Sequence, residues 1–210
     1  MTIRLALISL SACLLLAPGC KKDKKKAADD KAATPATDTP PATDTPPATD
    51  TPPATDTPPT DAPATAVAEL KAASGSKVSG KVTFTEKDGK VEVVAELKDL
   101  TPGEHAWHVH EVGDCSAPDA KSAGDHFNAS KHPHGAPDAE QHHEGDLGNL
   151  TAEKDGTAKK SLTVDFITVA PGDKSVVGRA VIVHEKADDM KTQPSGNAGA
   201  RVACGVVAKQ

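Results

Sequence analysis

Between Val82 and Leu97 the apolar side chains fall on alternate positions: Val82 and Phe84, then Val91, Val93, Ala95 and Leu97, with polar or small residues between them. A period of two puts each set on one face of a sheet, the pattern of half-buried antiparallel strands. Lys87-Asp88-Gly89-Lys90 separates the two runs and reads as a hairpin turn, since Asp-Gly accepts the left-handed backbone that a tight turn needs. Further strand candidates cover residues 107–112, 160–169, 176–184 and 202–207, and Gly and Pro mark the gaps between them. No segment from residue 66 onward holds a convincing helical period, so the pattern predicts an all-β sandwich or closed barrel. Residues 113–148 and 185–200 are the most irregular, and loops of that length on a β scaffold usually have a function.

The first third of the chain has a different pattern. Met-Thr-Ile-Arg followed by the apolar run from Leu5 to Gly19 has the charged start and apolar centre of a secretory signal, and it is short for a membrane span. Leu16-Ala17-Pro18-Gly19-Cys20 ends the run with a small residue before a cysteine, as a bacterial lipobox does. Lipidation at Cys20 is the leading expectation. Leu10-Ser11-Ala12-Cys13 is the rival, better matched locally but cutting the apolar run short, and a cleaved signal with an incidental cysteine is the third reading. Lys21-Lys22-Asp23-Lys24-Lys25-Lys26 follows, a basic cluster suited either to anionic headgroups or to plain solvation. From Pro35 to Pro58 the hexapeptide Pro-Ala-Thr-Asp-Thr-Pro then repeats, trailing off through Pro63. Paired prolines without a large apolar residue cannot bury a face, so this stretch reads as an extended tether, about 3.1 Å per residue. The expected organisation is a signal over 1–19, a lipidated and tethered segment over 20–65, and one folded domain over 66–210.

Composition narrows the partners. The chain has one Trp, three Phe and no Tyr, and none of these precedes residue 80, so a packed core belongs only to the later part. A formal charge of -6 argues against a nucleic-acid-binding protein, and none is expected as a partner. Any small anionic substrate needs a local positive group.

Eight of the nine histidines lie between His105 and His143, and the ninth is His184. His108 and His110 stand at i and i+2, which on a strand face the same side and can offer two imidazoles to one ion. His126, His134, His143 and Asp146 follow in a stretch too poor in large apolar residues to order itself by packing, and a metal would give it one shape. Three imidazoles and a carboxylate suit tetrahedral zinc; an imidazole-rich set with an open position suits copper.

Five blocks then become familiar in order: Trp107-His108-Val109-His110-Glu111-Val112-Gly113-Asp114; Gly124-Asp125-His126-Phe127-Asn128; His143-Glu144-Gly145-Asp146-Leu147-Gly148-Asn149; Val183-His184-Glu185-Lys186-Ala187-Asp188-Asp189; and Gly196-Asn197-Ala198-Gly199-Ala200-Arg201-Val202-Ala203-Cys204-Gly205. Together they resemble the copper/zinc superoxide dismutases over nearly all of residues 66–210. The resemblance implies an antiparallel Greek-key barrel or sandwich of immunoglobulin-like topology, about eight strands, with two long functional loops. It implies copper on His108, His110, His126 and His184, and zinc on His126, His134, His143 and Asp146, with the His126 imidazolate shared between the ions. Asp188 would orient a histidine of each set, and Arg201 would attract and position superoxide, the implied substrate. Catalysis would rest on Arg201 and His126. Cys115 and Cys204 would form a disulfide, as two cysteines of an exported domain also suggest. The implied activity is dismutation of superoxide outside the cytoplasm by a domain anchored in the cell envelope through lipid on Cys20. The alternative is a copper-binding or copper-delivery module without turnover. A homodimer is among the assemblies the resemblance allows.

Other polar residues have plainer readings. His132 and His142 miss the ligand positions and are expected to be exposed, whereas His105 is expected to pack and hydrogen-bond. Glu111 and Asp114 read as polar groups of a strand end and turn. Asp125 stands where many relatives have Pro or Gly, and its charge beside His126 either tunes the metals or faces water. Lys191, in a loop shorter than in eukaryotic relatives, is a candidate steering charge.

Overall fold

The computed structural model describes residues 63–210, so the signal, Cys13, Cys20, the lysine cluster and the repeats lie outside the described residues. Eight strands follow: β1 (Ala64–Ala72), β2 (Ser79–Lys87), β3 (Lys90–Lys98), β4 (Gly103–His110), β5 (Asp146–Ala152), β6 (Ala158–Val164), β7 (Ala180–His184) and β8 (Arg201–Lys209). The only described helical element is a 3-10 turn, Lys121–Ala123. All ladders are antiparallel, in the order β5-β4-β7-β8-β1-β2-β3-β6. The chain runs β1-β2-β3 as a meander, crosses to β4 on the far side, and returns to set β6 beside β3, a Greek-key path. β5 and β6 end the order yet follow one another in the chain, so the barrel is nearly closed, with its seam between them. The expected all-β Greek-key barrel of about eight strands is therefore the observed one.

Two strands escape the alternation signal. β1 buries Ala66, Ala68 and Leu70 on one face, and Ala68 pairs with both Val82 and Val207. Alanine is mildly disfavoured in strands, so β1 is specified by its two neighbours and not by local propensity. It also takes in Ala64 and Thr65, two residues before the expected start of the domain. β5 begins at Asp146, inside a stretch expected to be irregular, and ends at Ala152. β6 stops at Val164, earlier than residue 169, although Ile167 and Val169 still bury their side chains. β7 starts at Ala180, later than residue 176, and β4 covers Gly103–His110 in place of 107–112.

Phe84, Trp107, Leu147, Leu150 and Ile167 fill the barrel. On β4, Trp107 and Val109 point into it, which sends His108 and His110 to the outer face. Ala180 and Ile182 of β7, paired with His110 and His108, lie on that same face in a smaller cluster with Ala73, Ala120, Ala123 and Cys204. Both faces of β4 are buried from His105 to His110, because the loops 111–145 and 185–200 cover the outer one. Cys115 and Cys204 are bonded there, with Cα atoms 5.8 Å apart, and tie the first loop to β8 as the sequence implied.

Candidate metal centre

Three backbone segments meet beside β4. The Val109 N–H donates to the Gly145 carbonyl at 2.9 Å, the Phe127 N–H to Val109 at 2.8 Å, and the Gly145 N–H to Phe127 at 2.8 Å. A Cβ on Gly145 would collide with the Val109 carbonyl, so this approach requires glycine. The cycle sets His108 and His110, His126, and His143 with Asp146 at fixed mutual positions.

Two groups of ligand atoms result, each within 4.8 Å: His108, His110, His126 and His184, and His126, His134, His143 and Asp146, all buried. These are the two expected sets, and His126 belongs to both. In the first set, ring centroids of the pairs His108–His110 and His126–His184 stand 6.5 and 6.4 Å apart, while the other four pairs lie at 3.9–5.9 Å. The rings therefore surround a point, with those two pairs opposed. His108 Nδ1, His110 Nε2, His126 Nε2 and His184 Nε2 are all buried without a hydrogen-bond partner. Four orphaned imidazole nitrogens would be costly in a core unless a cation took their lone pairs.

The second set gathers around the Asp146 carboxylate, whose Oδ1 lies 2.9 Å from His126 Nδ1, 3.0 Å from His134 Nδ1 and 3.3 Å from His143 Nδ1. His143 Nδ1 is 3.5 Å from His126 Nδ1, and His134 Nδ1 is out of line for hydrogen bonding. Donors on a tetrahedral zinc with bonds of 2.0–2.2 Å would stand about 3.3–3.6 Å apart, so this set needs only a slight expansion to fit the ion. Asp146 Oδ2 is held by the Gly135 and His143 N–H groups at 3.1 and 2.9 Å.

Asp188 joins the sets. Its Oδ2 lies 2.8 Å from His108 Nε2 and its Oδ1 2.9 Å from His134 Nε2, so one carboxylate turns a metal-facing nitrogen of each ring inward. Asn149, the last residue of the third block and given no role there, fixes the Asp188 backbone through two hydrogen bonds of 2.8 and 2.9 Å. Gln193 likewise clamps the His134 backbone, accepting from its N–H and donating to its carbonyl, both at 2.8 Å. Gly196 has φ +67, and a Cβ there would strike the Asp188 carboxylate. Gln193 lies outside the five blocks, and Asn149 lies within one without a role assigned to it.

Arg201 donates from Nη1 to the Ala120 carbonyl and from Nη2 to the Gly124 carbonyl, both at 2.8 Å. The Gly124 carbonyl also accepts from His110 Nδ1 at 2.9 Å, which couples the guanidinium to a ring of the first set. Arg201, His110, His126 and His184 line one cavity of about 400 Å³, with Glu111 and Asp125 among its other walls. Lys191, the candidate steering charge, is exposed and does not line it. Of the remaining histidines, His132 is exposed and His105 places Nδ1 2.8 Å from the His184 carbonyl, as expected. His142 is half-buried, not exposed, because its ring packs 4.4 Å from Phe166 and its Nδ1 meets the His143 carbonyl.

Charge in the metal-free site is divided. Burial, then the neighbouring His108, pushes His126 down to about 4 and His184 down to about 3, against the pull of Asp146 and the Gly199 carbonyl respectively. Burial also lowers His108 and His110. His134 is the opposite case: burial opposes its charge, but Asp146 and Asp188 outweigh burial and raise it to about 9. Both carboxylates lie well below their usual range despite burial, because histidines hydrogen-bond to them. A group lowered on folding takes up protons more readily when unfolded, so stability falls as pH drops through the window between the two values. The urea midpoint of the metal-free domain should thus decline steadily from about pH 6.5 to pH 4. His134 contributes the reverse slope, lost between 6.5 and about 9. A flat midpoint below pH 6.5 would contradict the buried neutral rings.

A family model described as copper/zinc superoxide dismutase matches residues 78–207, from just before β2 almost to the end of β8. A solved structure titled as that of the clock protein EA4 is 41% identical, with a TM-score of 0.63, covering 70% of this chain and 94% of that one. The family binds copper and zinc, and the matched span contains both histidine clusters, the carboxylate between them and the disulfide. Sequence, barrel and donor sets converge on the same residues, and the chain belongs to the copper/zinc superoxide dismutase family.

Proposed function

We propose that the domain dismutates superoxide, with copper held by His108, His110, His126 and His184 and zinc by His126, His134, His143 and Asp146. The observation that carries this reading is His126, which offers Nδ1 to one buried set and an unpartnered Nε2 to the other. Bound copper supplies the one-electron couple, and zinc adds the charge that keeps His126 deprotonated at Nδ1. Overall, one superoxide gives up an electron and leaves as dioxygen; a second gains that electron and two protons and leaves as hydrogen peroxide. His126 lines the cavity, and its unpartnered Nε2 is the atom suited to hold one of those protons between the first superoxide and the second. Arg201 gives an anion its positive partner, fixed in place by the two carbonyls behind it. Asp188 keeps His108 and His134 turned toward their sets.

The proposal extends to an exported location: the leader and Cys20 suit a lipid-anchored envelope protein, and the Cys115–Cys204 bond suits an oxidising compartment. The direct test is the decay of superoxide, followed by pulse radiolysis, with protein carrying one copper and one zinc. Acceleration toward the diffusional ceiling of about 10^9 per molar per second is the expected result. A decay no faster than buffer with both metals bound would leave copper handling without turnover. Arg201→Ala should keep both metals and slow the reaction by roughly tenfold or more, the value of one hydrogen-bonded charge contact to an anion. An unchanged rate would remove Arg201 from the reaction.

A further inference from the structure

The charges around the cavity mouth are not those of a positive funnel. Arg201 is the single Lys or Arg side chain among the described residues lining the cavity, and it is half-buried, pinned to the wall by the Ala120 and Gly124 carbonyls. Two exposed carboxylate residues line the same cavity, each next in sequence to a histidine of the first set: Glu111 after His110, and Asp125 before His126. They are placed relative to one another by the fold. The Glu111 N–H donates to the Asp125 carbonyl at 2.9 Å, the Asp125 N–H points back to Glu111 Oε1 at 3.4 Å, and the backbones of His110 and His126 form an isolated bridge. Gly124, whose carbonyl holds Arg201, directly precedes Asp125. Among the side chains lining the cavity, an anion moving toward the guanidinium therefore meets two negative charges and one positive charge; Arg179, which donates to the Glu111 carbonyl at 3.1 Å, stands outside that lining, so Asp125 is the less compensated of the two carboxylates.

We infer that Glu111 and Asp125 form an acidic sill that opposes anion entry and sets the rate of this site below what Arg201 alone would allow. The inference rests on the dismutase reading for its substrate but not for its electrostatics. At about 8 Å in water one unit charge changes the local concentration of a monovalent anion by roughly twofold, and salt screens the effect.

The test uses the full chain loaded with copper and zinc, as wild type, Asp125→Asn and Glu111→Gln/Asp125→Asn, with Asp88→Asn as an equal charge change in the β2–β3 turn outside the cavity. Superoxide decay is measured over a range of salt, and azide, a small anion that coordinates Cu(II), is titrated by copper absorption. Asp125→Asn should raise the low-salt rate and tighten azide by about twofold, the double variant by about fourfold, and the curves should converge at high salt. Asp88→Asn should change neither. Equal azide affinity in wild type and Asp125→Asn, or the same gain from Asp88→Asn, would overturn the sill. If wild type leaves superoxide untouched while Asp125→Asn tightens azide, the sill stands and the dismutase reading fails.

Discussion

Replacing Asp188 by alanine should weaken zinc binding by roughly 10- to 100-fold and loosen the copper set at the same time. The carboxylate is buried and reaches His134 at 2.9 Å and His108 at 2.8 Å, so its removal frees one ring in each set. The exposed nitrogens would then have only water to orient them, in a place where burial leaves little room for it. His134 would also lose one of the two carboxylates that hold a proton on it, which makes the metal-free ring less basic but also less well aimed. Chelator competition reads the zinc term without reference to turnover, and the Cu(II) spectrum reads the copper term. Zinc affinity within twofold of wild type would show that Asp188 only fills space. Asp188→Asn, which can satisfy one ring as acceptor but not both, should fall between.

The second large effect concerns the disulfide. Cys115 and Cys204 are separated by 89 residues, and the chain-entropy model gives up to about 4 to 5 kcal/mol for closing such a loop. A Cys115→Ser/Cys204→Ser variant should therefore unfold at markedly lower urea, by about 2 to 5 kcal/mol. The bond also fastens the outer cluster: Cys204 packs with Ala120, Ala123 and Ile182, and Ala120 supplies one of the carbonyls that hold Arg201. Loss of the bond should thus loosen one of the guanidinium's two anchors, the Ala120 carbonyl, and leave the Gly124 carbonyl in place. The variant, once loaded with both metals, should show lower azide affinity as well as lower stability. A midpoint within 1 kcal/mol of wild type, a threshold well under the expected loss, would show that the loop is held by its other contacts.

The ligands were legible in the sequence because metal chemistry restricts residue type: few alternatives to His and Asp exist at such positions, and five blocks fix the register. β2 and β3 were legible because Val and Phe alternate there. β1 was not, since Ala66 and Ala68 have almost no strand preference and gain their place only from β2 and β8. The supports of the site were also hidden. Arg201 and His110 are held by backbone carbonyls, which every residue has. Asn149 and Gln193 act through backbone groups far away in sequence, so nothing local marks them. Glu144 is another such case: it is buried beside His143 and accepts from the Ser130 N–H and hydroxyl, bracing the two limbs of the loop that carries the second set.

The cycle of hydrogen bonds through Val109, Phe127 and Gly145 has a consequence for motion. Each amide is donor to the next segment and each carbonyl acceptor from the previous one, so no segment can lift away without breaking two of the three bonds. In hydrogen exchange these three amides should behave as one cooperative unit with a shared opening free energy. Since every segment of the cycle borders a metal ligand, the same opening event exposes both donor sets, and the slowest exchange of these amides sets a clock for losing either ion.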